Sequence, residues 1–328
     1  MTVSVVIPTY NRAHTILAAV RSVLRQRYGD LELVVVDDGS TDDTAARLAS
    51  LDDPRLRVVL GRHAGVSAAR NLGVSRSSGE LVAFLDSDDL WHPDKLLHEV
   101  AFLARHPEVD AVFTDLEKRH GERVFPSFMR ETSVFSRRLR GVSYPDGLVL
   151  EPRDVRLCLL EEVPIKPSAL TLRRRAFERV GGFDEAWSSS EDWEFLLRLA
   201  RHHRFGYIDR PLAVLCISPD SLHILDQTRG ETAMIELLTR ERRAVAGDRR
   251  ARAAVRRGLV ARSKHFGWHC LDLGRRGRAC SVFLRGFLLT GHVGLLARAV
   301  AVWVRRAGHP LPPAPALDAA DARSLLVA

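Results

Sequence analysis

Three groups of acidic residues carry the chemistry this chain can do. Asp37-Asp38 follows the apolar run 31–36, Asp86-Ser87-Asp88-Asp89 follows the run 81–85, and Glu191-Asp192 follows the small-residue run Ser188-Ser189-Ser190. Crowded carboxylates repel one another, and a hard divalent cation bridged to phosphate oxygens is the usual way to neutralise them. Mn2+ or Mg2+ together with a diphosphate is therefore the guest expected of the first two groups, whose five carboxylates are read as converging on one crevice. Each aspartate alone can equally be a helix cap. Glu191-Asp192 opens a helical pattern formed by Trp193, Leu196, Leu197 and Ala200. A carboxylate on that first turn is held rigidly and faces away from the apolar stripe, as a base that takes a proton from a hydroxyl must be. The competing reading is a capping box served by Ser188 or Ser190.

The elements that must hold these groups read as α/β. Five short, nearly continuous apolar runs, 3–7, 31–36, 56–60, 81–85 and 111–113, have the pattern of strands buried on both faces of a parallel sheet. Helical patterns lie between them: Ile16, Leu17, Val20, Val23 and Leu24, with Asn11 as a candidate cap; a helix opened by Ser40-Thr41-Asp42-Asp43; then 68–74 and 93–105. Alternation of this kind predicts a doubly wound sheet whose ligand crevice lies beyond the carboxyl ends of the strands. The first strand leads into Pro8-Thr9-Tyr10-Asn11-Arg12, with neither Gly-x-Gly-x-x-Gly nor a Walker-type Gly-x-x-x-x-Gly-Lys anywhere in the chain. Dinucleotide and P-loop readings therefore lose their main support. A glycoside hydrolase built on Glu191-Asp192 is disfavoured, because neighbours on a helix point about 100° apart and cannot flank one bond.

The ordered motifs resemble those of the inverting glycosyltransferases of family 2, which have the GT-A fold. The resemblance rests on Ile7-Pro8-Thr9-Tyr10-Asn11-Arg12, on Val36-Asp37-Asp38-Gly39-Ser40-Thr41-Asp42, on Gly65-Val66-Ser67-Ala68-Ala69-Arg70-Asn71-Leu72-Gly73 and on 79–89 with Trp91, Pro93 and Lys95-Leu96. Val180-Gly181-Gly182-Phe183-Asp184-Glu185 and Glu191-Asp192-Trp193-Glu194 complete it. It implies transfer of a sugar from a nucleoside diphosphate, UDP before GDP or dTDP, to a hydroxyl acceptor in polysaccharide or glycoconjugate synthesis, with Mn2+ or Mg2+. It implies that Pro8, Thr9, Tyr10, Asn11, Arg12, Asp37, Asp38, Gly39, Arg70, Asn71, Asp86 and Ser87 hold the nucleotide sugar. Asp38 would accept from the base, Asp86 would meet the ribose, and Asp88 would bind the metal with Asp86 and Asp89 in support. Asp192 is the implied base with Glu191 in reserve, and Gly182, Phe183 and Trp193 would face the sugar or acceptor. For Arg70 a surface ion pair, and for Trp187 and Trp193 plain core packing, remain alternatives. Relatives often have a metal-binding His where this chain has Ser218, with His223 nearby, so the third ligand stays open.

Charge is divided along the chain. Residues 240–310 contain 17 Lys or Arg against Glu241, Asp248 and Asp272, a balance of +14, while the remainder stands at −6. Four cysteines without Cys-x-x-Cys spacing argue against a disulfide scaffold or thiolate zinc site and fit a reducing cytoplasm. The first residues lack a signal-peptide pattern, and the longest uncharged apolar stretch, 286–297, is too short to span a bilayer. The expected organisation is a GT-A domain over 1–230, a basic helical extension over 231–309 and a Pro/Ala-rich flexible tail over 310–328. Three readings of the extension are carried, a solvated appendage, contact with an anionic membrane or lipid-diphosphate acceptor, or contact with nucleic acid, and the alternative to catalysis is a vestigial transferase domain acting as an anionic-membrane or nucleic-acid binding module. Sparse aromatic interleaving makes nucleic acid the weakest.

Overall fold

The computed structural model describes residues 1–130, 132, 134–135, 141–217 and 227–304. Ser218, His223 and the tail from 310 lie outside the described residues. Contacts divide the chain into two compact units, one formed by Met1–Arg130, Leu139–Arg156 and Pro164–Ser218, the other by Glu131–Arg138, Leu157–Val163 and Pro219–Ala328. The second unit thus begins before residue 231 and takes in two segments from inside the region expected to be a single domain.

The first unit is built on one mixed, mostly parallel sheet. Its strands are β1 (Val3–Thr9), β2 (Leu31–Asp37), β3 (Leu56–Leu60), β4 (Leu81–Phe84), β5 (Leu90–Trp91), β6 (Ala111–His120), β7 (Arg123–Phe125), β8 (Val142–Tyr144), β9 (Gly147–Leu150), β10 (Leu170–Arg173) and β11 (Phe205–Ile217). The order is β3-β2-β1-β4-β10-β6-β11-β9-β8, with β5 on β11 and β7 on β6. β1, β2, β3 and β4 pair in parallel. The helices of this part are α1 (Ile16–Leu24), α2 (Thr44–Ala49), α3 (Val66–Ser75), α4 (Lys95–Arg105), α6 (Arg174–Val180) and α7 (Glu191–Leu199), while α5 (Pro152–Leu159) begins in it and has its residues from Leu157 on in the second unit.

Two features depart from the pattern read in the sequence. β6 does not follow β4 in the sheet, because β10 enters between them antiparallel to both. β3 is the sheet edge, and its Val58 and Leu60 are exposed rather than covered on both faces. β1 and β4 are buried along their whole length and β2 at every residue but Glu32, as their mostly apolar runs suggest. β1 continues past the end of β4: its pairing with β4 stops at Val6, while that with β2 runs on to Thr9. Pro8 therefore stands where β1 has one neighbour, a position that tolerates a missing N–H, at the carboxyl end of the strands, where doubly wound sheets take their ligands.

The second unit contains α8 (Gln227–Ala244), α9 (Arg249–Asp272), α10 (Arg276–Thr290) and α11 (Val293–Val304). α9 starts at Asp248, whose side chain accepts from Arg250 N at 2.8 Å and Ala251 N at 3.1 Å. Gly291 ends α10 in the left-handed conformation, the break its lack of a side chain permits.

Candidate active site

The loop after β1 and the loop after β2 are sewn together by side chains. Asn11, in the left-handed region at φ 51°, does not cap α1; its Oδ1 accepts from Thr41 N at 2.8 Å, while Asn11 N donates to Ser40 Oγ at 2.9 Å. Arg12 N donates to Thr44 Oγ1 at 2.9 Å and Ala13 N to Asp42 Oδ2 at 3.0 Å. Asp37 and Asp38 are both buried. Asp37 Oδ1 accepts from Ser40 N at 2.9 Å, and the two carboxylate oxygens of Asp38 accept from Ala64 N at 3.0 Å and Gly65 N at 2.7 Å. The predicted convergence of five carboxylates thus resolves into two groups. Asp37 and Asp38 are balanced by backbone amides, and β2 stands two strand spacings, about 10 Å, from β4. Beside Asp38 lies an aromatic surface: Tyr10 is 41% exposed and its ring centroid is 4.4 Å from that of His63. Thr9 is buried.

The second group is organised by Arg70. α3 buries Ser67, Ala69, Arg70, Gly73 and Val74. A Cβ on Gly73 would stand 2.3 Å from Val6 Cγ1, so only glycine allows α3 to lie this close to β1. Arg70 is 2% exposed; its Nη2 donates to Asp86 Oδ1 at 2.7 Å, its Nη1 to Glu191 Oε1 at 2.8 Å, and its guanidinium carbon lies 5.0 Å from the centre of the Phe183 ring. Burial opposes the charge, but the Asp86 and Glu191 carboxylates outweigh it and push the Arg70 pKa above its ordinary value. For Glu191 burial dominates: it exceeds the pull of Arg70 and, with Asp192 adjacent, raises the carboxyl's pKa. Arg70 is not a surface ion pair; it ties the acid motif after β4 to the first turn of α7.

Asp86 and Asp88 are half-buried and Asp89 is buried. Asp89 accepts from Ser168 Oγ at 2.5 Å and from Cys216 N at 2.9 Å. Burial, then the charges of Asp88 and Asp86, hold its pKa well above the usual carboxylate range. Ser168 also accepts from Asp86 N through Oγ at 3.1 Å, and its carbonyl accepts from Trp91 Nε1 at 2.7 Å. No sequence signal marks Ser168. It stands in the 3-10 turn Pro167–Ala169 just before β10, and because β10 runs antiparallel to β4, its start meets the end of β4.

A metal is implied by these acids, and their donor chemistry fits one. They offer hard carboxylate oxygens suited to Mg2+ or Mn2+, which take further oxygens from phosphate and water. Among the described residues no group of three His, Cys, Asp or Glu forms a closed metal site, so Asp88 with Asp86 would form an open one. β11 reaches the acid group near its end, where Cys216 N donates to Asp89 Oδ1 at 2.9 Å.

Other candidates are placed differently from the expectation. Trp193 is wholly buried, so it packs in the core and offers no face to a sugar. Phe183 is also buried, stacked on Phe195 with centroids 4.4 Å apart and edge-on to Phe84 at 5.2 Å; it supports Arg70. The Asn71 amide is committed to the following loop: Oδ1 accepts from Phe183 N at 2.9 Å, and Nδ2 donates to Phe183 O at 2.9 Å and Glu185 Oε1 at 3.0 Å. A side chain on Gly182, at φ 70°, would collide with that Asn71 oxygen, so Gly182 is a packing requirement. Gly39 turns in the left-handed region at φ 84°, and Ser87 is buried. Ser190 precedes α7 in the left-handed conformation and gives no side-chain cap, so it does not serve as the cap of a capping box. Glu191 and Asp192 are half-buried on the first turn of α7.

The model of the family called Glycosyl transferase family 2 matches residues 4–179. The chain belongs to this family. A second model, Glycosyltransferase like family 2, matches residues 149–245 of this family 2 chain. Over 105 residues, 32% of the chain, it is 39% identical to the UDP-Glc:alpha-D-GlcNAc-diphosphoundecaprenol beta-1,3-glucosyltransferase WfgD of Escherichia coli, and the match spans 42% of that relative's length. Among solved structures, S. aureus TarS with UDP-GlcNAc is similar at TM-score 0.65 and 19% identity, covering 88% of this chain and 82% of that one. The mannosyltransferase PcManGT of Pyrobaculum calidifontis with GDP-Man and Mn2+ is similar at TM-score 0.54 and 21% identity, over 91% and 86% of the two chains. The fold is GT-A, with helices following the sheet domain.

Proposed function

We propose that this family 2 chain is an inverting glycosyltransferase that moves a sugar from a nucleoside-diphosphate sugar, UDP before GDP or dTDP, to a hydroxyl acceptor in polysaccharide or glycolipid synthesis. The observation that carries the reading is the Arg70 bridge. One buried side chain spans Asp86 and Glu191, so the acid motif suited to a diphosphate and the carboxylates suited to a base belong to one site. Tyr10, beside Asp38, offers the exposed ring on which a nucleobase stacks, and the loop 8–12, fixed by Ser40, Asp42 and Thr44, frames the nucleoside. Asp88 with Asp86 would hold Mn2+ or Mg2+, which when bound neutralises charge on the diphosphate.

Glu191 is engaged by Arg70, which leaves Asp192, the next residue on α7, as the base. It takes the proton of the acceptor hydroxyl while that oxygen bonds to the anomeric carbon from the face opposite the departing diphosphate. A single displacement of this kind inverts the anomeric centre. WfgD uses a UDP sugar and a lipid-linked diphosphate acceptor by its name, and an acceptor of the same class is proposed here.

Thermal unfolding with UDP- and GDP-sugars, each with and without Mn2+, tests the reading. A UDP-sugar with Mn2+ raises Tm, since a ligand of the native state must; Asp88→Ala removes the shift. Asp192→Asn retains it but lowers transfer by about 10²- to 10⁴-fold. Undiminished transfer by that variant rules Asp192 out as the base.

A further inference from the structure

The feature that the catalytic site does not absorb is the outer face of α11. This helix is apolar on every side. Leu295, Ala299 and Val302 are buried on one face, against α10, and Arg298 is the sole charged residue, its Nη1 donating to Gly294 O at 2.9 Å. On the opposite face Val293, Ala297, Val300 and Val304 follow one another at helical spacing, all exposed, with Trp303 beside them at 80% exposure. Leu284 and Leu288 are exposed in the last turns of α10, the latter at 72%. A helix apolar all round is ordinarily covered, and an exposed stripe of large apolar side chains marks a contact surface.

The charge around this stripe selects the occupant. Within the segment of +14, Glu241 is buried, Asp248 caps α9 and Asp272 is exposed at the end of α9, while Arg285 is exposed beside Leu284 and Leu288, and Arg256 Nε donates to Thr290 O at 2.8 Å next to the α10–α11 turn. Two copies meeting through this face would bring two strongly basic segments together, which like-charge repulsion opposes. A surface that is apolar in depth and anionic at its boundary satisfies both properties. Tryptophan is enriched at such boundaries. α11 has 12 residues, about 18 Å of helix against a hydrocarbon core of about 30 Å, and no helix among the described residues is long and apolar enough to cross a membrane.

We propose that α11, with the end of α10, lies in the plane of an anionic phospholipid bilayer, with Val293, Val300, Trp303 and Val304 entering the headgroup–acyl boundary and the neighbouring arginines meeting lipid phosphates. This does not depend on the proposed transfer reaction, and its test is separate from catalysis. The full chain is sedimented with vesicles of phosphatidylglycerol and phosphatidylcholine, and with phosphatidylcholine alone, at low and high salt. Binding to the anionic vesicles is expected at least tenfold tighter, weakening with salt. Val300→Glu with Trp303→Glu is expected to reduce it tenfold or more while circular dichroism is unchanged, and Arg285→Glu to reduce it more at low salt than at high. Equal binding to neutral vesicles, or full binding by the double variant, overturns the proposal. So does a wild-type dimer in solution that the double variant converts to monomer, which would make a second copy the occupant.

Discussion

With one guanidinium shared between them, Asp86 and Glu191 each keep a charged partner within hydrogen-bond distance although neither stands fully in water. Removing that partner leaves two carboxylates next to Asp88, Asp89 and Asp192. Arg70→Met is therefore expected to destabilise the fold by about 3–5 kcal/mol, the cost of leaving buried charge unpaired, and Arg70→Lys to recover only part, since an ammonium cannot reproduce the two-pronged fork. Urea unfolding of the three proteins checks the order. Glu191 gives a pH signature. Its carboxyl is raised above the ordinary value of 4.5 in the fold, so its protonated form is favoured there; the stability this contributes is full below that value and is lost as pH rises through the folded pKa. Melts of Glu191→Gln and wild type between about pH 4 and 8 should show the variant gaining on wild type as pH rises. A constant gap would contradict the raised pKa. At this scale the acids stand out in the sequence because they come in clusters, although a single carboxylate at a strand end or on a helix first turn is an ordinary cap. The placement of Trp193, Phe183 and Asn71 was not legible, since a residue type does not reveal whether its side chain turns toward a ligand or toward a neighbouring loop.

Among the elements, the parallel strands β1, β2 and β4 could be read from their apolar runs, but the place of β10 could not. Leu170–Arg173 is four residues long, and nothing local says that it pairs with β4 and β6. α4 contains a similar surprise. Lys95 and Glu99, four apart, have the spacing of an ordinary surface pair, yet both side chains are completely buried, with Nζ 2.8 Å from either carboxylate oxygen, Thr171 Oγ1 donating to Glu99 Oε2 at 2.8 Å, and the Trp91 ring centre 4.2 Å from Nζ. Through Thr171 this pair locks α4 to β10, the strand that follows Ser168. Glu99→Ala is expected to cost about 3–5 kcal/mol, whereas Lys95→Met with Glu99→Leu should be close to neutral. A double-mutant cycle in denaturant measures the coupling, and additive losses would show that the ions are not acting as a pair.

Across the whole molecule, a single net charge of +8 concealed an acidic body and a basic helical segment, and the chain divides into two compact units. Nucleotide-sugar binding is expected to protect amides of β1, β2, β4 and α3 from hydrogen exchange, by up to about 2.7 kcal/mol at a hundredfold excess over Kd, and to leave α9, α10 and α11 unchanged. Uniform protection would mean that the two units unfold as one. The insertion of β10 also sets a timetable for synthesis. A nascent chain that has produced β1 to β4 holds four parallel strands, but the edge of β4 has no partner until Leu170–Arg173 has emerged, and at roughly 5–20 residues per second that interval is on the order of ten seconds. An apolar, unpaired edge is a template for association with other chains. The same late segment that seats Ser168 against the acid motif is thus the one that ends the period in which a half-made chain is most prone to aggregate.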